Sequence, residues 1–143
     1  MKNLTLTIAT LIVTVAGLAM ATPQDSSDLT AVEAVAMQYL TSGQTGDVER
    51  LRQAFHPSAR LQFVKEGQYG EWSGKEFIGW RKPGKKSQYD VRVLRVDCAG
   101  TAAMAKVEMD FGHKRYIDYL SFLKIDGRWW IVNKIFHEDK EVK

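Results

Sequence analysis

The sequence has one cysteine and a net charge of only +3, and these shortages exclude several classes of protein. Cys98 has no second cysteine with which to form a disulfide, and no Cys and His residues stand at the spacing of a structural zinc site. The weak charge forms no basic stripe of the kind that binds nucleic acid. No serine or cysteine nucleophile motif and no glycine-rich phosphate loop is present. We therefore expect no metal, no cofactor and no nucleic-acid partner, and any catalysis should be of the acid/base kind.

The N-terminal segment has the pattern of an export signal. Lys2 precedes an uncharged run over 4–16, and Ala19-Met20-Ala21 has the small-x-small spacing of a cleavage site. The run is short for a membrane span, which needs about 20 apolar residues. We expect residues 1–21 to be a signal peptide, which predicts a periplasmic or secreted protein with no stable membrane insertion after cleavage. Retention of the segment as an anchor is the alternative.

The chain after this segment begins with helical patterns. A polar, flexible lead-in is predicted over 22–28, and apolar residues then recur at helical spacing over 29–40. Asp47 can cap a second helix, which should end at Pro57. A capping box that begins at Ser73 predicts a short third helix.

From residue 88 onward the apolar pattern has a period of two, which is typical of β-strands. Four strands are predicted over 88–98, 101–111, 114–125 and 128–137, with two-residue turns at 99–100, 112–113 and 126–127. A shorter strand is predicted at 60–65, followed by a turn over 67–70. Helices followed by an antiparallel meander predict an α+β domain in which one sheet face packs on the helices.

Two-residue turns would also fix which side chains share a face of the sheet. Four cross-strand rows are predicted to face inward: Val96, Ala103, Phe122 and Ile131; Leu94, Ala105, Leu120 and Asn133; Arg92, Val107, Asp118 and Ile135; and Asp90, Met109, Tyr116 and His137. Polarity rises along these rows, which is typical of a core at one end and a ligand site at the other. The outward face, which includes Tyr119, Trp130 and Lys134, is too apolar to be wholly solvated, and we expect it to form a homodimer interface.

Asp118 is the unusual charge on the predicted inward face. Arg92 lies within reach, and an ion pair between them would be a structural feature. Alternatively, Asp118 acts as a general base or ligand anchor, with Tyr116 as the acid. The third alternative is an error of register, because one β-bulge would turn the side chain outward.

Several short motifs occur in an order that resembles a known superfamily. They are Tyr39-Leu40-Thr41-Ser42-Gly43, Gly46-Asp47, Phe55-His56-Pro57, Asp118-Tyr119-Leu120, Asp126-Gly127-Arg128-Trp129 and Ile131-Val132-Asn133-Lys134. Together they resemble the nuclear transport factor 2 (NTF2) superfamily, and within it most closely the putative lumazine-binding group. The resemblance implies one domain over 29–138, followed by a tail over 139–143. It implies a cone-shaped α+β roll, with N-terminal helices packed on a curved, mainly antiparallel sheet, a pocket at the open end and often a homodimer.

The resemblance implies no single activity, because the superfamily contains several kinds of enzyme as well as binding and interaction modules. We expect a module that holds a small planar or apolar ligand. An isomerase or dehydratase that uses Asp118, Tyr116 and His56 is one alternative, and a dimeric interaction module without ligand is the other. The expected ligand-binding residues are Tyr39, His56, Trp80, Arg92, Tyr116, Asp118 and Asn133. His56 could instead bond the free carbonyls of a helix end, and Trp80 could be a hydrophobic plug.

Overall fold

The computed structural model of the protein describes residues 26–140. The predicted signal peptide, residues 22–25 of the predicted lead-in and residues 141–143 of the predicted tail lie outside the described residues. Within the described part, no helix is long and apolar enough to cross a membrane. In the same part, no three His, Cys, Asp or Glu side chains group closely enough to hold a metal ion.

The described residues form an α+β domain with one curved sheet, as predicted. The elements are α1 (Ser26–Thr45), α2 (Val48–Ala54), β1 (Phe55–Lys65), β2 (Gln68–Ser73), α3 (Gly74–Gly79), β3 (Asp90–Ala99), β4 (Ala102–Asp110), β5 (Arg115–Ile125) and β6 (Arg128–Asp139). The strand order is β2-β1-β6-β5-β4-β3. All neighbouring strands are antiparallel except β1 and β6, which are parallel.

The first helix begins earlier than predicted. Residues 26–28, which were expected in the lead-in, belong to α1. Asp28 accepts hydrogen bonds from Lys124 Nζ at 2.7 Å and from Trp129 Nε1 at 3.0 Å. Because these bonds tie the first turn of α1 to β5 and β6, the helix is anchored from its start.

The caps predicted at Asp47 and Ser73 are confirmed, but α2 ends at Ala54 and not at Pro57, which lies in β1. One strand was also missed. Asp47 Oδ1 accepts the backbone N–H groups of residues 49 and 50, and Ser73 forms a complete capping box with Glu76. Residues 67–70 are not simply a turn, because β1 and β2 form a hairpin closed by Glu66 and Gly67. Both closing residues have positive φ, 53° and 77°, as a tight two-residue hairpin turn requires.

The core lies between α1 and the concave face of the sheet, where α1 packs on β3, β4 and β6. Val32, Ala36 and Leu40 recur at intervals of four along α1 and are fully buried. They belong to a buried cluster that also contains the following residues of the other elements: Leu51, Ala54, Phe55, Ala59, Leu61, Phe77, Ala105, Val107, Leu120, Phe122, Trp129 and Ile131.

The register between β5 and β6 is the main difference from the sequence prediction. The pair Phe122 and Ile131 is as predicted, but the register then shifts by one residue. The extra residue in β6 is Val132, and this β-bulge reverses the alternation that follows it. Lys134, which was predicted to face outward, therefore faces inward.

The rows beyond the bulge change in the same way. Inside, Lys134, Phe136 and Glu138 take the places that were predicted for Asn133, Ile135 and His137. Between β4 and β5 the prediction is confirmed, since Asp118 lies opposite Val107 and Tyr116 lies opposite Met109.

Strand β3 also departs from the predicted register. Its turn pairs Ala99 with Ala102, instead of pairing residues 98 and 101, and a second shift occurs between Val93 and Arg95. As a result Val93 lies opposite Val107, where Arg92 was predicted. Arg92 faces outward, and its guanidinium binds the Glu108 carboxylate on the outer face. The predicted Arg92–Asp118 ion pair is therefore wrong.

Candidate functional site

An aromatic cleft of about 390 Å³ lies between the end of α1, α3, loop 80–89 and the sheet. It is open to solvent on one side. Half of its lining residues are aromatic: Tyr39, Trp72, Phe77, Trp80, Tyr89, Phe111, Tyr116 and Phe136. Its polar lining residues are Ser42, Arg81, Ser87, Lys114, Lys134 and Glu138. A cavity of this size and composition is suited to a small organic molecule.

Three buried polar side chains meet at the floor of the cleft. Tyr39 Oη donates a hydrogen bond to Asp118 Oδ2 at 2.5 Å, and Lys134 Nζ donates to the same carboxylate oxygen at 2.9 Å. Lys134 Nζ also donates to Tyr39 Oη at 2.7 Å. Tyr39 comes from α1, Asp118 from β5 and Lys134 from β6, so the fold brings together residues that are far apart in the sequence.

We call Tyr39, Asp118 and Lys134 the polar triad. Their burial shifts the pKa values of Lys134 and Tyr39. The side chains of Asp118 and Lys134 are 0% and 5% exposed. Burial lowers the pKa of Lys134 below its usual 10.5, and the Asp118 charge opposes this shift. Burial and the neighbouring carboxylate raise the pKa of Tyr39 well above 10.0, so its hydroxyl stays protonated. The phenol therefore remains a hydrogen-bond donor, while the lysine amine is easier to deprotonate than one at the surface.

Aromatic rings surround the amine of Lys134. Its Nζ lies 4.5 Å from the ring centroid of Phe136, 5.1 Å from that of Tyr39 and 5.5 Å from that of Phe77. These faces attract a cation but offer it no hydrogen-bond acceptor. Asp118 and Tyr39 are thus the polar partners that hold the ammonium in position.

The cleft rim is built by the junction between the end of α1 and loop 80–89. Tyr89 Oη donates to the carbonyl of Leu40 at 2.8 Å, and Gln44 Nε2 donates to the carbonyl of Tyr89 at 2.6 Å. Gly43 is required here, because a Cβ at this position would lie 2.5 Å from Tyr89 Oη. The Tyr89 ring stacks on Phe111 with centroids 4.5 Å apart, which completes one wall.

The opposite wall consists of interlocking rings. Trp72 meets Trp80 edge-on at 4.9 Å and lies 5.9 Å from Phe136. Trp80 is 56% exposed, so it stands at the rim and does not plug the cavity. Phe77 is buried and forms part of the floor. The cleft is open, and its aromatic faces are available to a flat ligand.

A second polar group lies towards the mouth. Lys114 Nζ donates to Tyr116 Oη at 3.1 Å, and Glu138 lies opposite Tyr116 in the sheet register. All three residues line the cleft. This group offers both charges and a hydroxyl to the outer end of a ligand.

Four of the expected site residues meet at the cleft, and three do not. Tyr39, Trp80 and Tyr116 line it, and Asp118 lies directly behind Tyr39 and Lys134. Arg92 faces outward, where it binds Glu108.

His56 and Asn133 also lie outside the cleft lining. His56 lies in β1, where its ring contacts Trp130. Its Nδ1 lies 2.7 Å from Ser58 Oγ and 3.2 Å from the backbone N–H of the same residue. Asn133 follows the bulge and is turned away from the inner face, and its buried Oδ1 lacks a hydrogen-bond partner. These placements correct the expectation that His56, Arg92 and Asn133 line the ligand site.

Sequence reasoning missed Lys134, Phe136 and Glu138 because each follows the bulge. The available signal was the uninterrupted apolar run over 129–132, which lacks the alternation of a regular strand. Placing the bulge within this run would have put Lys134 beside Asp118.

The N-terminal helices and the curved six-stranded sheet define the class of protein as an α+β cone fold. The chain belongs to the family described as "Putative lumazine-binding", whose model matches residues 27–137. It is also similar to a protein from Cladobotryum sp named "Aldolase FrzH". The two are 31% identical over 115 residues, which cover 78% of this chain and 92% of the relative.

Solved structures confirm the NTF2-like fold. An NTF2-like protein from Shewanella baltica has a TM-score of 0.74 and 23% identity, over 82% of this chain and 98% of that one. An NTF2-like protein from Silicibacter pomeroyi has a TM-score of 0.71 and 26% identity, over 80% and 98%. A ketosteroid isomerase-like protein from Erwinia carotovora has a TM-score of 0.62 and 12% identity, over 79% and 97%, and shares the fold alone.

Proposed function

We propose that the protein binds a small, flat carbonyl compound in the aromatic cleft and acts on it by an aldol-type reaction. In such a reaction a carbon–carbon bond next to a carbonyl group forms or breaks. The cleft supplies ring faces for a flat molecule, and the polar triad supplies the charge that this chemistry requires.

The observation that carries the proposal is the position of Lys134 Nζ at the floor of the cleft. An ammonium has three N–H donors, and the bonds to Tyr39 and Asp118 use two of them. The third is left for an oxygen of the ligand. When the bond beside a carbonyl group breaks, negative charge develops on that oxygen, and a buried ammonium stabilises it more strongly than a solvated one does.

Asp118 has a positioning role in this proposal. Its carboxylate lies behind Lys134 and Tyr39, does not line the cleft, and binds both through Oδ2. It therefore orients the ammonium and the phenol, while the side chains that face the ligand are Lys134 and Tyr39. This differs from the expectation that Asp118 itself acts on the ligand as a base.

The aldolase relative supports this reaction class. Its name states an aldol activity, and the region of similarity spans most of both proteins. The family description supports a flat ligand, since lumazine is a bicyclic carbonyl compound. Both statements concern relatives, and the polar triad is the feature of this chain that is consistent with them.

A fluorogenic β-hydroxyketone with a naphthyl group tests the activity, because retro-aldol cleavage releases a fluorescent aldehyde. We expect the wild type to cleave it faster than the buffer does and Lys134→Met to lose this acceleration. Lys65→Met is the matched control, since Lys65 is exposed at the end of the β1–β2 hairpin. Equal rates in wild type and Lys134→Met would contradict the proposal.

Ligand retention without chemistry is the second candidate, and the eight aromatic residues of the cleft favour it. A wild type that binds flat carbonyl compounds in the cleft, but never accelerates their cleavage, would support this candidate against the first.

We also propose that the protein is exported and dimeric. The pattern over 1–21 supports export to the periplasm or medium. The outer face of the sheet carries exposed apolar side chains, including Val64 at 69%, Tyr69 at 66% and Ile135 at 47% exposure. A second copy of the chain would cover this apolar surface.

A further inference from the structure

The amine of Lys134 is placed to act as a nucleophile, in addition to stabilising negative charge on a ligand oxygen as an ammonium. Its side chain is 5% exposed and lines the cleft, so a ligand reaches it from one side only. Asp118 Oδ2 at 2.9 Å can accept a proton from the ammonium, and Tyr39 Oη at 2.7 Å can pass a proton towards a ligand oxygen. A lysine next to a base and a hydroxyl in an apolar pocket has the arrangement that amine catalysis needs.

We propose that Lys134 forms a covalent imine with an aldehyde or ketone bound in the cleft. This inference rests on the proposed aldol-type function and specifies its substrate class. The Nζ atom bonds to the carbonyl carbon, the C=O bond breaks, and the oxygen leaves as water. Two of the three ammonium protons leave with that oxygen and one stays on nitrogen, so the product is a protonated imine and the charge is conserved.

The protonated imine then takes the place of the ammonium as the positive charge that stabilises the negative charge developing when the carbon–carbon bond breaks. It withdraws electrons from the neighbouring carbon, so the bond between that carbon and the hydroxyl-bearing carbon breaks, and the electron pair converts the imine to a neutral enamine. The hydroxyl-bearing carbon leaves as an aldehyde, and its hydroxyl proton passes to water at the open side of the cleft. Protonation of the enamine carbon and addition of water then release the ketone and return Lys134 as the ammonium. Asp118 remains beside the cationic nitrogen and balances its charge. The surrounding rings of Phe136, Tyr39 and Phe77 limit the access of water to the imine.

The lowered pKa of Lys134 supports the first step, because only the neutral amine attacks a carbonyl carbon. Lys114, the other lysine of the cleft lining, also lies near two aromatic rings, but among the described residues it forms no ion pair with a carboxylate. It is half-buried near the mouth, and its Nζ donates to Tyr116 Oη. The two lysines therefore allow a comparison within one cleft.

The test uses 2,4-pentanedione, which condenses with neutral amines to a stable enaminone with loss of one water. The full mature chain is treated with this diketone near neutral pH, digested and mapped by mass spectrometry. We expect the adduct on Lys134 before it appears on Lys114 or the exposed Lys65. An unmodified Lys134, or modification of all lysines at similar rates, would overturn the imine. The mapping is carried out on the wild type, so it does not depend on whether a variant folds.

A second measurement separates the failure of this inference from the failure of the proposed function. Lys134→Arg retains the positive charge but cannot form an imine, whereas Lys65→Arg is the control. We expect loss of retro-aldol activity in Lys134→Arg, with quenching of tryptophan fluorescence by bound aromatic ketones retained. Retained activity in Lys134→Arg would overturn the imine and leave charge stabilisation in place. Loss of adduct formation together with an inactive wild type would overturn both.

Discussion

Lys134 Nζ lies 2.9 Å from Asp118 Oδ2, and both side chains are buried beneath an aromatic cleft. The two residues are neighbours only because a β-bulge at Val132 turns Lys134 inward. Further hydrogen bonds stabilise two buried charges of opposite sign, and Tyr39 forms one with each, both of them on the Oδ2 side of the carboxylate. Asp118 Oδ1 is buried without a hydrogen-bond partner among the described residues.

Replacing one partner of this pair should destabilise the domain. Asp118→Asn leaves the Lys134 ammonium buried without its counter-charge, and loss of one partner of a buried pair typically lowers the free energy of unfolding by about 3–5 kcal/mol. Urea unfolding of the purified domain measures this change.

The matched control for that experiment is Asp126→Asn, the same chemical change at a tight turn. Asp126 has a φ of 50° and precedes Gly127, and Asn-Gly suits such a turn as well as Asp-Gly does. We expect this variant to unfold at the wild-type urea concentration. An equally small effect of Asp118→Asn would contradict the account of the buried pair.

Tyr39 should give the protein a specific sensitivity to alkaline pH. In the unfolded chain its hydroxyl ionises near pH 10.0, whereas in the native state burial and Asp118 keep it protonated to a higher pH. The native state then binds more protons than the unfolded state, so the stability that Tyr39 contributes below pH 10.0 is lost as the pH rises further.

Lys134 changes the unfolding free energy with pH in the opposite direction, so the measurement is made in a pH range where the Lys134 contribution is constant. Its pKa is lowered in the native state, so its contribution to stability rises with pH up to about 10.5, the usual lysine value, and is then constant. Above that pH, the unfolding free energy of the wild type should fall more steeply than that of Tyr39→Phe. Parallel curves for the two proteins in alkaline urea titrations would show that Tyr39 is not the responsible group.

Gly43 should be intolerant of a side chain. Gly43→Ala places a methyl group 2.5 Å from Tyr89 Oη, which must move and lose its bond to the Leu40 carbonyl. The broken hydrogen bond should cost about 1 kcal/mol, which offsets the gain of about 1 kcal/mol that Ala has over Gly inside a helix such as α1. Ligand binding should weaken, because Tyr89 forms the rim. Gly79→Ala, in α3 with no atom within 4 Å of the added methyl, should show the gain in helix stability alone, with unchanged ligand binding, in calorimetry.

The outer face of the sheet should control the oligomeric state. Ile135 is 47% exposed in the single chain, so Ile135→Lys adds a charge to the proposed dimer interface. Native mass spectrometry should show dimers for the wild type and monomers for this variant, with the exposed α2 variant Gln53→Lys as the dimeric control. A monomeric wild type would contradict the dimer proposal.

The accuracy of the sequence predictions depended on how strongly each turn is specified. Asp126 and Gly127 specify their turn through residues that accept positive φ, and the register next to it was predicted correctly as far as Ile131. The pairing of Asp118 with Val107 was also correct, because a short turn joins β4 and β5. Alternation and turn chemistry were sufficient for these strands.

The site was harder to predict, because two register shifts determine its composition. The bulge at Val132 lies inside an apolar run in which no polar residue indicates the side that faces water. The shift near Leu94 turns Arg92 outward in the same way. Since a shift of one residue moves every later side chain to the other face, Asp118 was identified but its partner Lys134 was not.

The most direct test of the central claim is a titration of the purified protein with lumazine, followed by tryptophan fluorescence. Trp72 and Trp80 line the cleft, so a flat molecule bound there should quench them. The account predicts saturable quenching by the wild type and by Lys65→Met, and much weaker binding by Lys134→Met, in which the ligand oxygen has lost its donor. Equal affinity of Lys134→Met and wild type, or no saturable binding by the wild type, would contradict it.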